Sequence, residues 1–231
     1  LRIPGQERVY SIALQDGPRL LGATPERSTL HAGHDQTPIL FSAGRSQGSV
    51  LDEPLLVEIT TTLGSFSDGS RQRTLWMVNG LLTETLSGGQ VAGIAEISMS
   101  AAGQAQRTFV TVQPGMPQRI SGPGLLLAPD MGEGVSIPVR LDLRDRYGNP
   151  IWNSTRVNFY TLDGIFAPQS PPVTLGRTES QLTLPAYAPD RISYWALVPG
   201  SFAVFQGDVL LLRHHLWMPY AAGGTTAARE Q

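Results

Sequence analysis

The chain has 231 residues, 41% of them hydrophobic and 16% charged, with a formal net charge of -2. It is too apolar for a disordered chain, too neutral to wrap nucleic acid by neutralising phosphates, and long enough to bury one or two cores. Cysteine and lysine are both absent, all 17 basic residues being arginine. That excludes disulfide scaffolds, thiol catalysis, cysteine-ligated zinc, Schiff-base chemistry, a P-loop lysine and lysine isopeptide cross-links.

The first residue is Leu rather than Met, which points to a processed or trimmed product. Arg8-Val9-Tyr10-Ser11-Ile12 then reads as a strand with no domain in front of it. It has the phase of Thr108-Phe109-Val110-Thr111-Val112, one hundred residues later. A lone strand leaves its backbone groups and apolar face without partners, so Val9, Tyr10, Ile12 and Leu14 are expected at an interface. His31-x-x-His34 sits in a Gly-rich connection, where three-residue spacing does not converge two imidazoles on one metal. Gly44-Arg45-Ser46-Gln47-Gly48 matches the nucleophile-elbow pattern G-x-S-x-G. The elbow needs a helix after the serine, and here Asp52-Glu53-Pro54 leads into another alternating run, so the segment reads as a turn.

Apolar alternation with period two, the mark of a half-buried strand, recurs at Leu55-Val57-Ile59, Ala95-Ile97-Met99, Val157-Phe159-Thr161 and Ile192-Tyr194-Ala196. It is clearest over Val135–Arg144, where every odd position is apolar. Such short strands between Gly/Pro turns predict an all-β sandwich architecture. Tyr194, Trp195, Phe202 and Phe205 read as core. Asp142, Asp145, Asn149 and Asp163 could meet at one loop end and hold Ca²⁺ through hard oxygens, with turn capping as the preferred reading. No catalytic pair, metal site or cofactor is expected. Beyond the last strand, Leu216, Trp217 and Tyr220 are contact-prone types on a polar tail, and are placed at an interface or capping the second unit.

The chain repeats itself at an offset of 100 residues. Val57/Val157, Thr61/Thr161, Gly64/Gly164 and Phe66/Phe166 are identical, and Pro38 aligns with Pro138. That period fits one immunoglobulin-like sandwich per unit. The expected map is an N-terminal strand at 1–17, domains at 18–113 and 118–213 joined through Gln113–Pro117, and a tail at 214–231. The fold class is thus all-β: two tandem immunoglobulin-like β-sandwiches with an extra N-terminal strand.

On these residues the chain resembles the bacterial Ig-like domains of the invasin/intimin type. The likeness rests on the alternating strand before Asp145-Arg-Tyr-Gly148-Asn149-Pro150, on Val157-Asn-Phe-Tyr with Gly164-x-Phe166, and on Val57 to Phe66, Gly88 to Ile97 and Phe109 to Val112. In the first unit the turn reads Arg45-Ser-Gln-Gly48-Ser-Val50 and keeps only the glycine. The expected function is a non-enzymatic extracellular or cell-surface structural subunit. It would assemble with other copies of itself into a filament by strand addition, the N-terminal strand being the donor. The alternatives are a stalk fragment of a larger invasin/intimin-like adhesin, or a module that binds a surface receptor or glycan through loop residues such as Tyr147 and Trp152. Nucleic acid and a membrane span are not expected.

Overall fold

A computed structural model of the protein describes residues 20–45, 51, 53–129, 134–152 and 155–212, and every regular element among them is a strand. The first sandwich contains β1 (Leu20–Pro25), β2 (Thr29–His31), β3 (Gln36–Gly44), β4 (Leu55–Thr61), β5 (Gln72–Met77), β6 (Leu81–Ser87), β7 (Gly93–Ala101) and β8 (Gln104–Gln113). One sheet has the order β1-β3-β6 and the other β2-β8-β7-β4-β5. The second sandwich contains β9 (Arg119–Ser121), β10 (Leu125–Pro129), β11 (Val135–Arg144), β12 (Asn158–Thr161), β13 (Ile165–Ala167), β14 (Arg177–Leu184), β15 (Arg191–Leu197) and β16 (Val204–Leu212). Its sheets are ordered β13-β14-β11-β9 and β10-β16-β15-β12.

In both sandwiches the opening strand is broken in two. Pro25 ends β1, and Gly122-Pro123-Gly124 separates β9 from β10, because proline cannot carry a ladder onward. The first half joins one sheet and the second half crosses to the other, where β2 runs parallel to β8 and β10 parallel to β16. Each sandwich therefore covers the C-terminal part of the outer edge of its own last strand, Thr111–Gln113 in β8 and Asp208–Leu212 in β16.

The alternation places the cores. In β11, Ile137, Val139, Leu141 and Leu143 are buried while the residues between them face solvent. The first core is built from Ile39, Phe41, Val57, Ile59, Met77, Leu86, Ile97 and Met99. The second runs through an aromatic chain, Phe159 to Phe166 to Tyr194 to Phe205, with successive ring centroids 5.0, 6.1 and 6.1 Å apart. Burying each such side chain contributes about 1.5–3 kcal/mol, which offsets the chain entropy lost. Of the four aromatics read as core, Tyr194 is fully buried and Phe205 packs on it. Trp195 is half-buried on the opposite face of β15, and Phe202 is wholly exposed in the turn before β16. The departure at Phe202 arises because Pro199-Gly200 ends the alternation before the phenylalanine is reached.

The repeat has a structural cause. Thr61 pairs with Ile97, and Thr161 with Tyr194. A Cβ on Gly64 would fall 2.1 Å from the Ser87 carbonyl oxygen, and one on Gly164 2.8 Å from that of Thr183. Both units need glycine where the chain turns back against the end of β6 or β14. By compactness the chain divides into unit 1, which runs to Arg119 and includes Leu143–Thr155 and Val173–Arg177, and unit 2, comprising Ile120–Asp142, Arg156–Pro172 and residues from Thr178 onward. The Asp145–Pro150 turn thus belongs to unit 1.

Candidate functional site

β11 ends at Arg144, and the next residue, Asp145, is completely buried. Its Oδ1 accepts hydrogen bonds from the amides of Tyr147 (2.8 Å) and Asn149 (2.9 Å). Its Oδ2 accepts from Asn149 Nδ2 (2.8 Å) and the Gly115 amide (2.9 Å). Gly148, at φ +90°, supplies the left-handed step that lets the chain double back over the carboxylate. Burial acts to raise the Asp145 pKa, but the donors from Asn149, Gly115 and Tyr147 together outweigh it, and the carboxyl lies below its ordinary range.

Asn149 extends the network. Its Nδ2 donates to the Gln90 carbonyl (2.7 Å) and its Oδ1 accepts from the Ala92 amide (3.0 Å). Those two backbone partners fix which way the amide points. Arg146 lies over the Tyr147 ring at 4.5 Å and approaches His34 Nε2 at 3.3 Å. Tyr147 rests so close to Gly33 that a Cβ there would sit 3.0 Å from the phenol oxygen. Within unit 1 the turn therefore covers the loops at residues 31–35 and 88–92. Both Asp145 oxygens are committed to donors, which leaves the group neither a base nor a cation ligand.

Unit 2 carries a different feature. Leu162–Gly164 between β12 and β13 with Ile165 at the start of β13, Leu184 at the end of β14 with Pro185–Pro189 after it, and Gly134 ahead of β11 line a groove of about 560 Å³. Its apolar residues are open to solvent: Leu162, Ile165 and Tyr187 are 86%, 72% and 88% exposed. Three large apolar residues thus stand open at one loop end.

Among solved structures, InvD of Yersinia pseudotuberculosis matches with 16% identity and a TM-score of 0.59, over 83% of this chain and 57% of that one. The fold is immunoglobulin-like and is shared with InvD. The Escherichia coli adhesin FdeC matches at 17% identity and a TM-score of 0.49, over 84% of this chain and 64% of that one. Invasin, a bacterial integrin-binding protein, matches at 19% identity and a TM-score of 0.39, over 83% of this chain and 39% of that one. The chain thus spans less than two thirds of each of these structures. No family model and no curated protein matches the sequence.

The expected interface residues of the Ig-like pair, Val9, Tyr10, Ile12, Leu14, Leu216, Trp217 and Tyr220, lie outside the described residues, as do Ser46, His214 and His215. His31 pairs with Asp35, its Nδ1 being 3.2 Å from Asp35 Oδ2, while His34 faces Arg146. The Ca²⁺ set is not brought together as one cluster. Asp145 and Asn149 bond each other in unit 1, whereas Asp142 and Asp163 belong to unit 2. Among the described residues no three His, Asp or Glu side chains could share a metal ion. Tyr147 is half-buried in the turn, and Trp152 is more open.

Sequence reasoning missed Glu84, which is buried in unit 1. It pairs with Arg73 and accepts hydrogen bonds from the Ser67 and Thr85 amides, both at 3.2 Å. The signal was there, since Glu84 shares the inward phase of Leu82 and Leu86 in β6. It missed the groove too, although Leu162 and Tyr187 are apolar residues inside turn sequences.

Proposed function

We propose that this chain is a stalk segment of a bacterial surface adhesin: Ig-like units in series, outside the cell, that carry load and contact partners without catalysing a reaction. The observation that supports this best is the partial covering of each last strand by the same sandwich, with β2 against Thr111–Gln113 of β8 and β10 against Asp208–Leu212 of β16. A strand donated by a neighbour needs a free sheet edge, and beside each last strand part of that edge is already taken. The fold shared with InvD is in keeping with the reading.

Self-assembly into a filament, with Val9–Leu14 as donor and Leu216, Trp217 and Tyr220 in contact, would have to use a sheet edge, and the described sheets end at β1, β6, β2, β5, β9, β13, β10 and β12. A receptor or glycan site built on Tyr147 is disfavoured by the packing of that ring against Gly33. Sedimentation velocity of the whole chain at rising concentration tests the choice. A monomer throughout is the expected result. Polymers that vanish when residues 1–14 are deleted would overturn the stalk reading in favour of the filament.

A further inference from the structure

Three two-residue loops among the described residues share one geometry. Asn79-Gly80, Ala102-Gly103 and Leu175-Gly176 each pass twice through the left-handed region, at φ +50° and +69°, +48° and +79°, and +48° and +79°. That is the type I′ turn, whose twist matches the strands it joins. The backbone accepts alanine or leucine at the first position, so it does not dictate asparagine at 79. Asn79 brings what the other two loops lack, a side-chain amide directly ahead of a glycine. The glycine itself is fixed by packing. Gly80 is buried, its carbonyl accepts from the Ala43 amide of β3 (2.8 Å), and a Cβ on it would fall 2.4 Å from the Ala43 carbonyl oxygen. Asn79 stands exposed at the tip of the β5–β6 hairpin, between Val78 and Leu81, whose amides donate to each other's carbonyls at 3.3 and 3.1 Å.

We infer that Asn79 is a site of spontaneous modification, converted by water to aspartate and isoaspartate when the hairpin tip opens. The inference is independent of the stalk reading. The Gly80 amide gives its proton to hydroxide and its nitrogen attacks Asn79 Cγ. The Cγ–Nδ2 bond breaks, ammonia leaves, and a succinimide ring closes. Water then opens the ring at either carbonyl. One opening leaves an ordinary aspartate; the other routes the main chain through Cβ and Cγ, one atom longer, with the carboxylate on Cα. Only water is consumed. Glycine favours the attack because no Cβ shields its nitrogen. Asn149, by contrast, precedes Pro150, which has no amide proton to lose. The closed turn holds the reaction back. At the first position of a type I′ turn ψ is about +30°, which sets the next nitrogen nearly opposite Cβ across the Cα–C bond. Ring closure needs the two on the same side, so it waits for the tip to open. The longer chain of isoaspartate no longer fits a two-residue loop, and should draw Gly80 from Ala43 and unpair Val78 from Leu81. Since β5 and β6 belong to different sheets, the damage falls where the two are joined.

Trypsin, with only arginine to cut after, releases Thr74–Arg107, in which Asn79 is the one asparagine. The intact chain and a synthetic peptide of Leu75–Thr83 are held at mildly alkaline pH. Products at position 79 are followed by mass spectrometry and by labelling with an isoaspartyl methyltransferase. The intact chain should convert more slowly than the peptide by about tenfold or more, since a paired hairpin is open a small fraction of the time. Urea below the unfolding transition should raise the rate in step with hydrogen exchange at the Leu81 amide. Asn79→Gly, which keeps the left-handed step, should give no product in this peptide. Chains carrying isoaspartate, once separated, should exchange faster at Ala43 and Leu81. An asparagine that stays intact at every urea concentration below the transition, while the peptide converts fully, overturns the inference. So does an intact chain that converts as fast as the peptide, because the turn would then exert no hold.

Discussion

Unit 1 and unit 2 are built on one repeat, yet they hide different things. Unit 1 buries charge and polarity: Asp145 and Asn149 under its loops, and Glu84 with Arg73 between its strands. Both units bury rings, Phe41 and Phe66 in unit 1, but among the described residues rings pack on one another only in unit 2, where one of them, Tyr194, presses on a glycine. At the loop ends the contrast reverses, with a satisfied polar network in one and exposed apolar side chains in the other. A conserved strand frame thus leaves each unit free to stabilise itself by its own chemistry.

The sharpest break in that comparison is Asp145→Ala. The amides of Gly115, Tyr147 and Asn149 would lose their acceptor inside the protein, at about 1–3 kcal/mol for each buried donor left unpaired. The Asn149 amide is buried and those of Gly115 and Tyr147 partly so, and a summed loss of about 3 kcal/mol is expected for this region. Hydrogen exchange should accelerate at Gly115 and Ala92 and stay unchanged in β15 and β16. Equal acceleration in both units would show that the network is not local.

Next in size is Gly207→Ala in unit 2. A Cβ there would meet the Tyr194 ring at 2.4 Å, and Tyr194 has nowhere to retreat without surrendering its hydrogen bond to the Pro123 carbonyl (2.9 Å). Overpacking of this kind costs about 1–3 kcal/mol. The matching cross-strand pair in unit 1 is Ile97 with Thr108, where a smaller ring-free partner tolerates a side chain opposite. Urea unfolding of Gly207→Ala, of Tyr194→Leu and of the double variant would measure the coupling. The double variant should recover part of the loss, and strict additivity would remove Tyr194 as the cause.

Much of this contrast was legible in the sequence, and the part that was not has a physical reason. Strands such as β11 declared themselves through the period of their side chains. The Asp145–Pro150 turn declared itself through residues with one use each: an acceptor, a left-handed glycine and a proline. The partners of Asn149 did not, because Gln90 and Ala92 offer only backbone groups, which every residue carries and no sequence pattern marks. Phe202 and the groove escaped for the opposite reason. Apolar residues were assumed to be inside, whereas apolar atoms are common on protein surfaces and their clustering depends on long-range pairing.

The least visible effect at neutral pH separates the units at the extremes of pH. The Asp145 pKa is lowered in the folded state, so its contribution is present above the unfolded value of about 3.9 and is lost as pH falls through the folded value. The Tyr194 phenol is pushed up to about 12, by burial first and the Asp208 charge second. The unfolded phenol ionises near about 10, so its contribution is present below that pH and is lost as pH rises toward the folded value. Asp208 is itself lowered by its hydrogen bonds to Arg191 and Ser193, but that pair is open to solvent and salt, which discounts its share. Acid should therefore loosen unit 1 first and alkali unit 2 first. Hydrogen exchange followed across pH, corrected for intrinsic rates, should show protection near Asp145 failing on the acid side and protection around Tyr194 failing on the alkaline side. Asp145→Asn should flatten the acid limb alone; a limb of unchanged slope in that variant would assign the acid loss to other carboxylates.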